Sequence, residues 1–278
     1  MYKSLNVCYE VKDMSEEFVR PEEALKEYKV SQYKTPDGYT SDNVIFTIVQ
    51  DEEAVYGRTL KVMLIKRSLK NSEGQPNIEG GKWALPGGFI DSKETAYEAA
   101  QRELEEETGV TNIHVKHFGV YDKEGRDPRG WIITNSHYAV VPEYLLSMRK
   151  AGDDAAEVEL FTIEEVFTLP LAFDHQKIIK DALTIIQLDM VQTTLAREFL
   201  PEEFTLSELR SVILSVAEDI VDEVVKSEPF FWRKAPKLPF IELVCDKEGN
   251  PKTTQRNSKF KTKLYRFNDQ KPVKSIYK

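Results

Sequence analysis

Runs of apolar residues separated by polar turns predict a chain that mixes strands and helices. Strand-like runs rich in β-branched residues occupy 43–50 (NVIFTIVQ) and 59–67 (TLKVMLIKR), with a polar loop between them. A helical pattern follows at about 93–108, and Gly109 is placed to end it. Further strands are predicted at 115–121, 131–141 and 157–161. This part of the chain is therefore expected to adopt an α/β fold.

Helices predominate in the rest of the chain. A long helix is predicted from Asp174, a possible cap, to about 195. The segment 205–208 (TLSE) has the form of a capping box, so an amphipathic helix is expected from there to about Val225. A short helix starting at 227 is predicted to bury its three aromatic residues, and a small hairpin is predicted between 241 and 267. The remaining elements are a helix at 15–33 and a boundary near 197–201.

The composition indicates a folded, water-soluble protein. Of the 278 residues, 41% are hydrophobic and 31% are charged, which is enough apolar material for a core. No run of about 18 apolar residues occurs, so a membrane span is not expected. The N-terminus lacks the pattern of a secretion signal, and the two cysteines, Cys8 and Cys245, have no metal-ligand spacing. We therefore expect a cytoplasmic protein with two free thiols.

The charge is distributed unevenly along the chain. Residues 229–278 carry 13 Lys and Arg against four acids, whereas residues 1–228 carry 25 basic and 43 acidic residues. Such asymmetry suggests two parts with different partners. The acidic part could hold cations, and the basic part could contact phosphate groups or simply be solvated.

Three glutamates share one face of the helix predicted at 93–108. Glu103, Glu106 and Glu107 stand at spacings of three and four residues, whereas Leu104, Ala100 and Tyr97 lie on another face that could be buried. Like charges packed so closely are unfavourable unless a cation compensates them. Oxygen ligands on a rigid element suit Mg²⁺ or Mn²⁺, although a solvated acidic helix would also give this pattern.

The spacing around these glutamates points to a known family. From Gly88 the sequence reads G-x5-E-x7-R-E-L-x-E-E-x-G-V, through Glu94 and Arg102 to Val110. In this segment the chain resembles the Nudix hydrolases without a mismatch. The resemblance implies a Nudix-type mixed-sheet α/β/α sandwich and a metal-dependent attack of water on a diphosphate. The fold alone does not define the substrate.

The resemblance also implies roles for the residues of the motif. The Gly87 carbonyl, Glu103, Glu106 and Glu107 are expected to hold the divalent ions. Arg102 is expected to pair with a carboxylate of the motif, and Glu94 to support the start of the helix. The catalytic base stays open between Glu103, Glu106 and a downstream carboxylate. The downstream candidates are Asp153, Asp154 and Glu157.

A second segment bears on the substrate. Residues 126–131 (RDPRGW) resemble a segment of ADP-ribose pyrophosphatases and of the related regulators of NAD metabolism. Arg126 and Arg129 could bind phosphate or ribose, and Glu157 is a further candidate, although Asp-Pro and Arg-Gly are also common in turns. The stretch 171–175 (LAFDH) resembles the same subgroup, with His175 expected to be structural. ADP-ribose is the first choice; an 8-oxo nucleoside triphosphate, a dinucleoside polyphosphate or an NAD-type dinucleotide stays possible.

The C-terminal part resembles the winged-helix unit of Nudix-related transcriptional regulators of NAD biosynthesis. The matching stretches are 204–209 (FTLSEL), 231–234 (FWRK) and 264–267 (LYRF). By this resemblance Arg233 and Lys234 would approach a DNA groove. Phosphates would be contacted from a wing by Lys252, Arg256, Lys259, Lys261 and Lys263. The sequence departs from the regulators at 257–262 (NSKFKT), where they tend to have a Gly-Arg-Pro segment.

Two hypotheses of different class follow. The intact motif favours an enzyme that cleaves ADP-ribose to AMP and ribose 5-phosphate, while the basic C-terminal part favours a DNA-binding regulator that senses ADP-ribose. The predicted organisation is an N-terminal extension (1–40), a Nudix domain (41–196) and a winged-helix-like domain (197–278). A homodimer is expected because proteins of both resembling groups commonly pair.

Overall fold

The computed structural model describes Lys26 and residues 28–111, 113–146 and 155–269. The chain divides into two compact units, 1–35 and 36–278. In the first unit the structure describes the 3-10 helix Val30–Gln32 and the stacked rings of Tyr28 and Tyr33, whose centroids are 5.8 Å apart. Most of the helix predicted at 15–33 lies outside the described residues.

The second unit contains both the strands and the helices predicted from the apolar pattern. The strands are β1 (Gly38–Gln50), β2 (Arg58–Arg67), β3 (Trp83–Ala84), β4 (Gly87–Phe89), β5 (His114–Tyr121), β6 (Ile132–Val140), β7 (Ala155–Thr162), β8 (Ile241–Leu243), β9 (Thr253–Thr254), β10 (Thr262–Lys263) and β11 (Tyr265–Phe267). The helices are α1 (Ala96–Thr108), α2 (Glu143–Leu146), α3 (Ile163–Val166), α4 (His175–Gln192), α5 (Leu206–Ala217), α6 (Glu223–Lys226) and α7 (Glu228–Lys234). Within the described residues, no helix combines the length and the apolarity needed to traverse a bilayer.

One mixed sheet of seven strands forms the centre of this unit. Five strands lie in the order β3–β2–β1–β6–β5, while β4 pairs with β1 and β7 pairs with β2. β1 and β6 run parallel, and the other pairs run antiparallel. β1 begins at Gly38, five residues before the predicted strand. Its polar start is held as a strand by pairing with β6 on one side and β4 on the other.

Helices cover both faces of the sheet. Val44 and Phe46 of β1 belong to the larger core, which includes residues of α4 and α5, such as Ile178 and Val212. Ile45, between them, points to the opposite face and packs with Leu104 of α1 and Val110. This alternation is the period of two expected of a strand buried on both faces. The structure confirms the predicted α/β/α sandwich.

Capping residues define both ends of helix α1. Thr95 and Glu98 form a reciprocal capping box, in which each backbone N–H is bound by the other's side chain. This capping box starts the helix at Ala96, three residues later than predicted. Gly109 ends it in the left-handed conformation, at φ 70°, as predicted.

Only one stripe of α1 faces the sheet. Ala100 and Leu104 are buried there, as expected from the sequence. The expectation for Tyr97 was wrong, because its side chain is 45% exposed at the edge of that stripe. The ring instead lies edge-on to His137 of β6, with centroids 6.3 Å apart.

The capping box predicted for α5 is present between Thr205 and Glu208. The helix ends at Ala217 rather than near 225, because acidic residues follow directly and negative charge is unfavourable at a helix C-terminus. The carboxylate of Asp222 then accepts hydrogen bonds from the Val224 and Val225 N–H groups and starts the separate helix α6.

The C-terminal segment packs directly on the sheet. Ser211 and Ser215 of α5 donate hydrogen bonds to the carbonyl oxygens of Tyr56 (2.6 Å) and Arg58 (3.2 Å). Leu209 and Val212 belong to the larger core that also contains β1 and β2 residues. The chain after 196 therefore shares a core with the sheet, and the division into domains at 41–196 and 197–278 stays a prediction.

The small strands near the C-terminus form two pairs. β8 pairs with β11, and β9 pairs with β10 between them, so the predicted single hairpin was incomplete. In α7, Phe231 is buried as predicted, but Phe230 and Trp232 remain 45% and 39% exposed. The prediction was wrong for these two residues, because a seven-residue helix turns only part of its surface toward the core.

Candidate active site

Arg102 joins three glutamates of the motif. Its guanidinium lies 2.7 Å from Glu94 Oε1, 2.7 Å from Glu103 Oε1 and 3.1 Å from Glu106 Oε2. It also donates to the Phe89 carbonyl oxygen at 3.2 Å. The predicted pairing of Arg102 with a motif carboxylate is confirmed. The guanidinium of Arg102 thus connects Glu94, just before α1, with Glu103 on the buried face of α1 and with Phe89 at the end of β4.

The carboxylates around Arg102 have different electrostatic environments. Hydrogen bonds from Arg102 hold the pKa of Glu94 at about 2, so this residue stays ionised. Burial raises the pKa of Glu103 above its ordinary value, against the lowering effect of Arg102. Glu106 is exposed. Glu103 is therefore the motif carboxylate whose negative charge gains most from a neighbouring cation.

The two glycines of the motif are required by close contacts. Gly87 and Gly88 lie in β4 and pair with Asp42 and Ser41 of β1, so the expected tight loop is a short strand. A Cβ atom at Gly88 would overlap the carboxylate of Glu103, and one at Gly87 would overlap the Ser41 carbonyl oxygen. Any larger residue would therefore displace either the glutamate or the strand.

The oxygen donors of this region fit a hard divalent ion chemically. Glu103, Glu106 and Glu107 lie on consecutive turns of α1, and the carboxylate of Glu103 lies beside Gly88. In the described part of the chain, however, no three carboxylate, histidine or cysteine side chains already converge as a complete ligand set. Arg102 bridges Glu103 and Glu106, so an ion bound to these carboxylates would share them with the guanidinium.

The downstream carboxylates are only partly described. Asp153 and Asp154 lie outside the described residues. Glu157 is on β7, where its carboxylate accepts a hydrogen bond from Lys66 Nζ at 3.0 Å. It is partly exposed and therefore available to a ligand, although the structure gives no contact between it and Arg102.

The two arginines of the RDPRG segment occupy different environments. Arg126 is 5% exposed and binds both carboxylate oxygens of Asp174, the shortest contact being 2.7 Å. Arg129 is 30% exposed and pairs with Asp127 at 2.6 Å. Its guanidinium also lies between two phenyl rings, 5.1 Å from the centroid of Phe89 and 5.3 Å from that of Phe173. Of the two, Arg129 is the more accessible to a ligand.

Asp42 is a buried carboxylate that the sequence analysis did not single out. It lies opposite Gly87, with Arg126 Nη2 at 3.6 Å and His175 Nε2 at 3.9 Å from its Oδ2. Burial raises its pKa to about 6, and Arg126 opposes that shift. A charged residue just before an apolar strand was the available sequence signal.

Asp174 and His175 begin α4 and face this network. Asp174 stands at the N-cap position, but its carboxylate caps no backbone N–H and binds Arg126 instead. His175 is buried, and its Nδ1 accepts a hydrogen bond from the Leu85 N–H at 2.9 Å. Burial lowers the pKa of His175 to about 3, which agrees with the structural role expected for it.

The basic residues of the C-terminal segment divide into paired and unpaired groups. Two of the expected phosphate contacts are paired within the protein: Arg256 binds the buried carboxylate of Glu208, and Lys252 Nζ lies 2.7 Å from Glu203. Within the described residues, no acidic partner is found for four of the other expected DNA contacts. These are Arg233 and Lys234 at the end of α7, and Lys259 and Lys261 between β9 and β10.

Comparison with known proteins identifies the family of the chain. Residues 41–182 match the NUDIX domain family. An ADP-ribose pyrophosphatase from Methanocaldococcus jannaschii is 45% identical over 122 residues, which are 44% of this chain and 64% of that protein. The ADPR responsive transcriptional repressor NtrR from Acinetobacter baylyi is 29% identical over 190 residues, or 68% of this chain and 69% of that protein.

A solved structure extends the similarity into the C-terminal segment. A MutT/nudix family protein from Enterococcus faecalis is 26% identical, with a TM-score of 0.65, and the match covers 90% of this chain and 94% of that one. The family match itself spans half of the chain and includes the complete motif from Gly88 to Val110. The chain belongs to the NUDIX domain family.

Proposed function

We propose that this protein hydrolyses the diphosphate of a nucleoside diphosphate derivative, with ADP-ribose as the preferred substrate and AMP and ribose 5-phosphate as products. The observation that carries the proposal is the grouping of Glu94, Glu103 and Glu106 around Arg102, next to Gly88. A catalytic site for phosphates needs such a rigid set of oxygen ligands.

Each residue of this group has a proposed task. Glu103, Glu106, Glu107 and the Gly87 carbonyl would hold Mg²⁺ or Mn²⁺, which when bound neutralises the diphosphate and acidifies water. Arg102 orients the Glu103 and Glu106 carboxylates through its two hydrogen bonds. The carboxylate of Glu94 accepts hydrogen bonds from Nε and Nη2 of Arg102 and so fixes the orientation of the guanidinium.

The reaction itself is a displacement at phosphorus. Water adds its oxygen to one phosphorus, the bond from that phosphorus to the bridging oxygen breaks, and the two halves leave as monophosphates. A carboxylate must accept the proton of the water. Glu103 and Glu106 are the candidates on α1, and Glu157 is the described candidate outside it.

The choice of ADP-ribose rests on the 45% identical relative and on the RDPRG segment. Arg129 has an accessible guanidinium beside Phe89, the residue that follows the two motif glycines. This location suits contact with a phosphate or ribose that extends from the metal ligands. Arg126 is less suited, because its guanidinium is already paired in a buried site.

The test is incubation of the purified protein with ADP-ribose and Mg²⁺, followed by chromatography of the products. We expect AMP and ribose 5-phosphate in equal amounts. A panel of nucleoside triphosphates, dinucleoside polyphosphates and NAD would identify another preferred substrate. Absence of hydrolysis across the whole panel would refute the enzymatic proposal.

Glu106→Gln tests the metal ligands. It should lower turnover on the order of 100-fold or more while leaving the fold unchanged, because it removes one anionic ligand without changing side-chain size. Glu105→Gln is the matched control, since Glu105 is the exposed neighbour on the same helix and occupies a position that the motif leaves open to any residue. Near-normal activity of the Glu106 variant would contradict the assignment.

A second candidate function is ADP-ribose-sensing regulation of transcription through DNA. The supporting observation is the similarity to the repressor NtrR over 68% of the chain, together with the four basic residues that have no acidic partner among the described residues. Glu203 and Glu208 count against tight binding, because they already pair with Lys252 and Arg256 of the basic segment. Hydrolysis and regulation do not exclude each other.

A mobility-shift assay with the DNA upstream of the protein's own gene, with and without ADP-ribose, tests this second function. The Lys259→Ala/Lys261→Ala variant should lose the shift, since each removed lysine removes one phosphate contact. A Lys177→Ala/Lys180→Ala variant on α4 removes the same charge elsewhere and should retain it. Equal shifts for both variants would contradict the proposed wing contact.

A further inference from the structure

The buried network around Arg126 connects four separate segments of the chain. Arg126 belongs to the loop before β6, Asp42 to β1, and Asp174 to the start of α4. The fourth segment is 85–87, which approaches through the Leu85 N–H bound to His175 and through Gly87, the partner of Asp42 in the sheet. Arg126 is therefore connected through Asp42 to β4, the strand that contains the two glycines of the motif.

Each of the three nitrogen atoms of Arg126 already donates a hydrogen bond within the protein. Its Nε and Nη2 atoms bind the Asp174 carboxylate at 2.7 to 3.1 Å, and Nη1 donates to the Ile132 carbonyl oxygen at 3.4 Å. A substrate phosphate that bound the Nε and Nη2 edge of this guanidinium would have to displace Asp174. That exchange would leave a partly buried carboxylate without its cation, which costs more than the new pair gains.

Asp42 transmits the position of Arg126 to the motif. A Cβ atom built on Gly87 would lie 2.8 Å from Asp42 Oδ1, so the carboxylate packs directly against the glycine backbone. The adjacent Asn43 N–H donates to the Pro86 carbonyl oxygen at 2.8 Å. Movement of the Asp42 side chain would therefore change the position of β4, which also carries the Phe89 carbonyl bound by Arg102.

We propose that Arg126 is a positioning residue, which holds Asp42 and Asp174 together and thereby fixes the backbone at Gly87, and that Arg129 alone of this loop contacts the substrate. This inference rests on the hydrolase function proposed above. It divides the two arginines of one short segment between different tasks. Arg129 is partly exposed and stacked on Phe89, whereas Arg126 is enclosed between two carboxylates.

The experiment compares Arg126→Lys with Arg129→Lys, because both substitutions keep the charge and remove the planar fork. For Arg126→Lys we expect kcat for ADP-ribose to fall about 100-fold with KM within about twofold of the wild type. Amide hydrogen exchange of the peptide covering 84–90 should become at least about tenfold faster, since the network no longer restrains it. Arg129→Lys should raise KM at least about tenfold and leave this exchange unchanged.

The exchange measurement separates this inference from the proposed function. If the wild type hydrolyses no substrate of the panel, faster exchange at 84–90 in Arg126→Lys still supports the positioning role. Unchanged exchange refutes it whether or not the protein is active. A raised KM with normal kcat and normal exchange would instead make Arg126 a substrate-binding residue.

Asp174→Asn provides a second variant in case lysine at 126 prevents folding. It keeps the shape of the side chain and removes the negative charge that binds Arg126 at 2.7 Å. We expect the same pattern in this variant, a lower kcat and faster exchange at 84–90 with unchanged KM. Wild-type exchange and kcat in Asp174→Asn would overturn the inference.

Discussion

Replacement of His175 by asparagine should make the protein less sensitive to acid. His175 is 4% exposed, and its Nδ1 accepts the Leu85 N–H, so the imidazole is held in its neutral form. Protonation would place a charge in the core and remove that acceptor. Asparagine can offer its Oδ1 to the same N–H and has no proton to gain between pH 7 and pH 5.

The magnitude follows from the depressed pKa. Burial lowers the pKa of His175 from 6.5 to about 3, with Asp174 opposing the shift and Arg126 adding to it. Below pH 6.5 the unfolded chain takes up a proton that the folded chain does not, so stability falls as the pH falls through this window. The loss attributable to His175 is about 2 kcal/mol between pH 7 and pH 5, and about 4 kcal/mol when pH 3 is reached.

Two other buried groups also titrate in this range. His137, whose pKa burial lowers to about 4, destabilises the fold in the same direction. Asp42, whose pKa burial raises to about 6, acts in the opposite direction, because its folded form takes up a proton before its unfolded form does. Both groups remain in the His175 variant, so the difference between the two proteins reports His175 together with its 3.9 Å contact to Asp42.

Urea unfolding at a series of pH values between 8 and 5 provides the measurement. The free energies of unfolding of wild type and His175→Asn should run parallel above pH 7, whatever the constant difference between them. Below pH 6.5 the variant should lose about 2 kcal/mol less by pH 5. The same slope in both proteins would refute the argument, since His175 would then titrate alike in the folded and unfolded chains.

The remaining predictions concern close packing, capping and the contact between α5 and the sheet. Gly88→Ala should lower turnover about 100-fold without unfolding the protein, because the new methyl group displaces the Glu103 carboxylate; wild-type turnover would contradict this. Thr205→Ala should lower the free energy of unfolding by about 1 kcal/mol, measured in urea, because it removes the cap of α5. Ser211→Ala should leave turnover unchanged but destabilise the fold by about 1 kcal/mol, since it removes the donor to the Tyr56 carbonyl; a fully stable variant would show that this contact contributes nothing.

The sequence by itself determined the features that depend on neighbours within a few residues. The spacing from Glu94 to Glu107 predicted the carboxylate face of α1, and Arg102 pairs within that face as expected. The capping box at 205–208 and the left-handed end at Gly109 were also correct. Such signals can be read from sequence because helix geometry brings residues three or four apart together in any context.

Only the tertiary structure decided features that depend on distant segments. The two arginines of RDPRG are equivalent in composition, but Arg126 is buried because Asp42 and Asp174 approach it from 84 and 48 residues away along the chain. Gly87 is a second example. The sequence suggested that it lies in a loop, but its pairing with Asp42 places it in a strand. Strand register and burial follow from how the sheet and helices pack together, and a local pattern of residue types contains no information on which remote partner will be there.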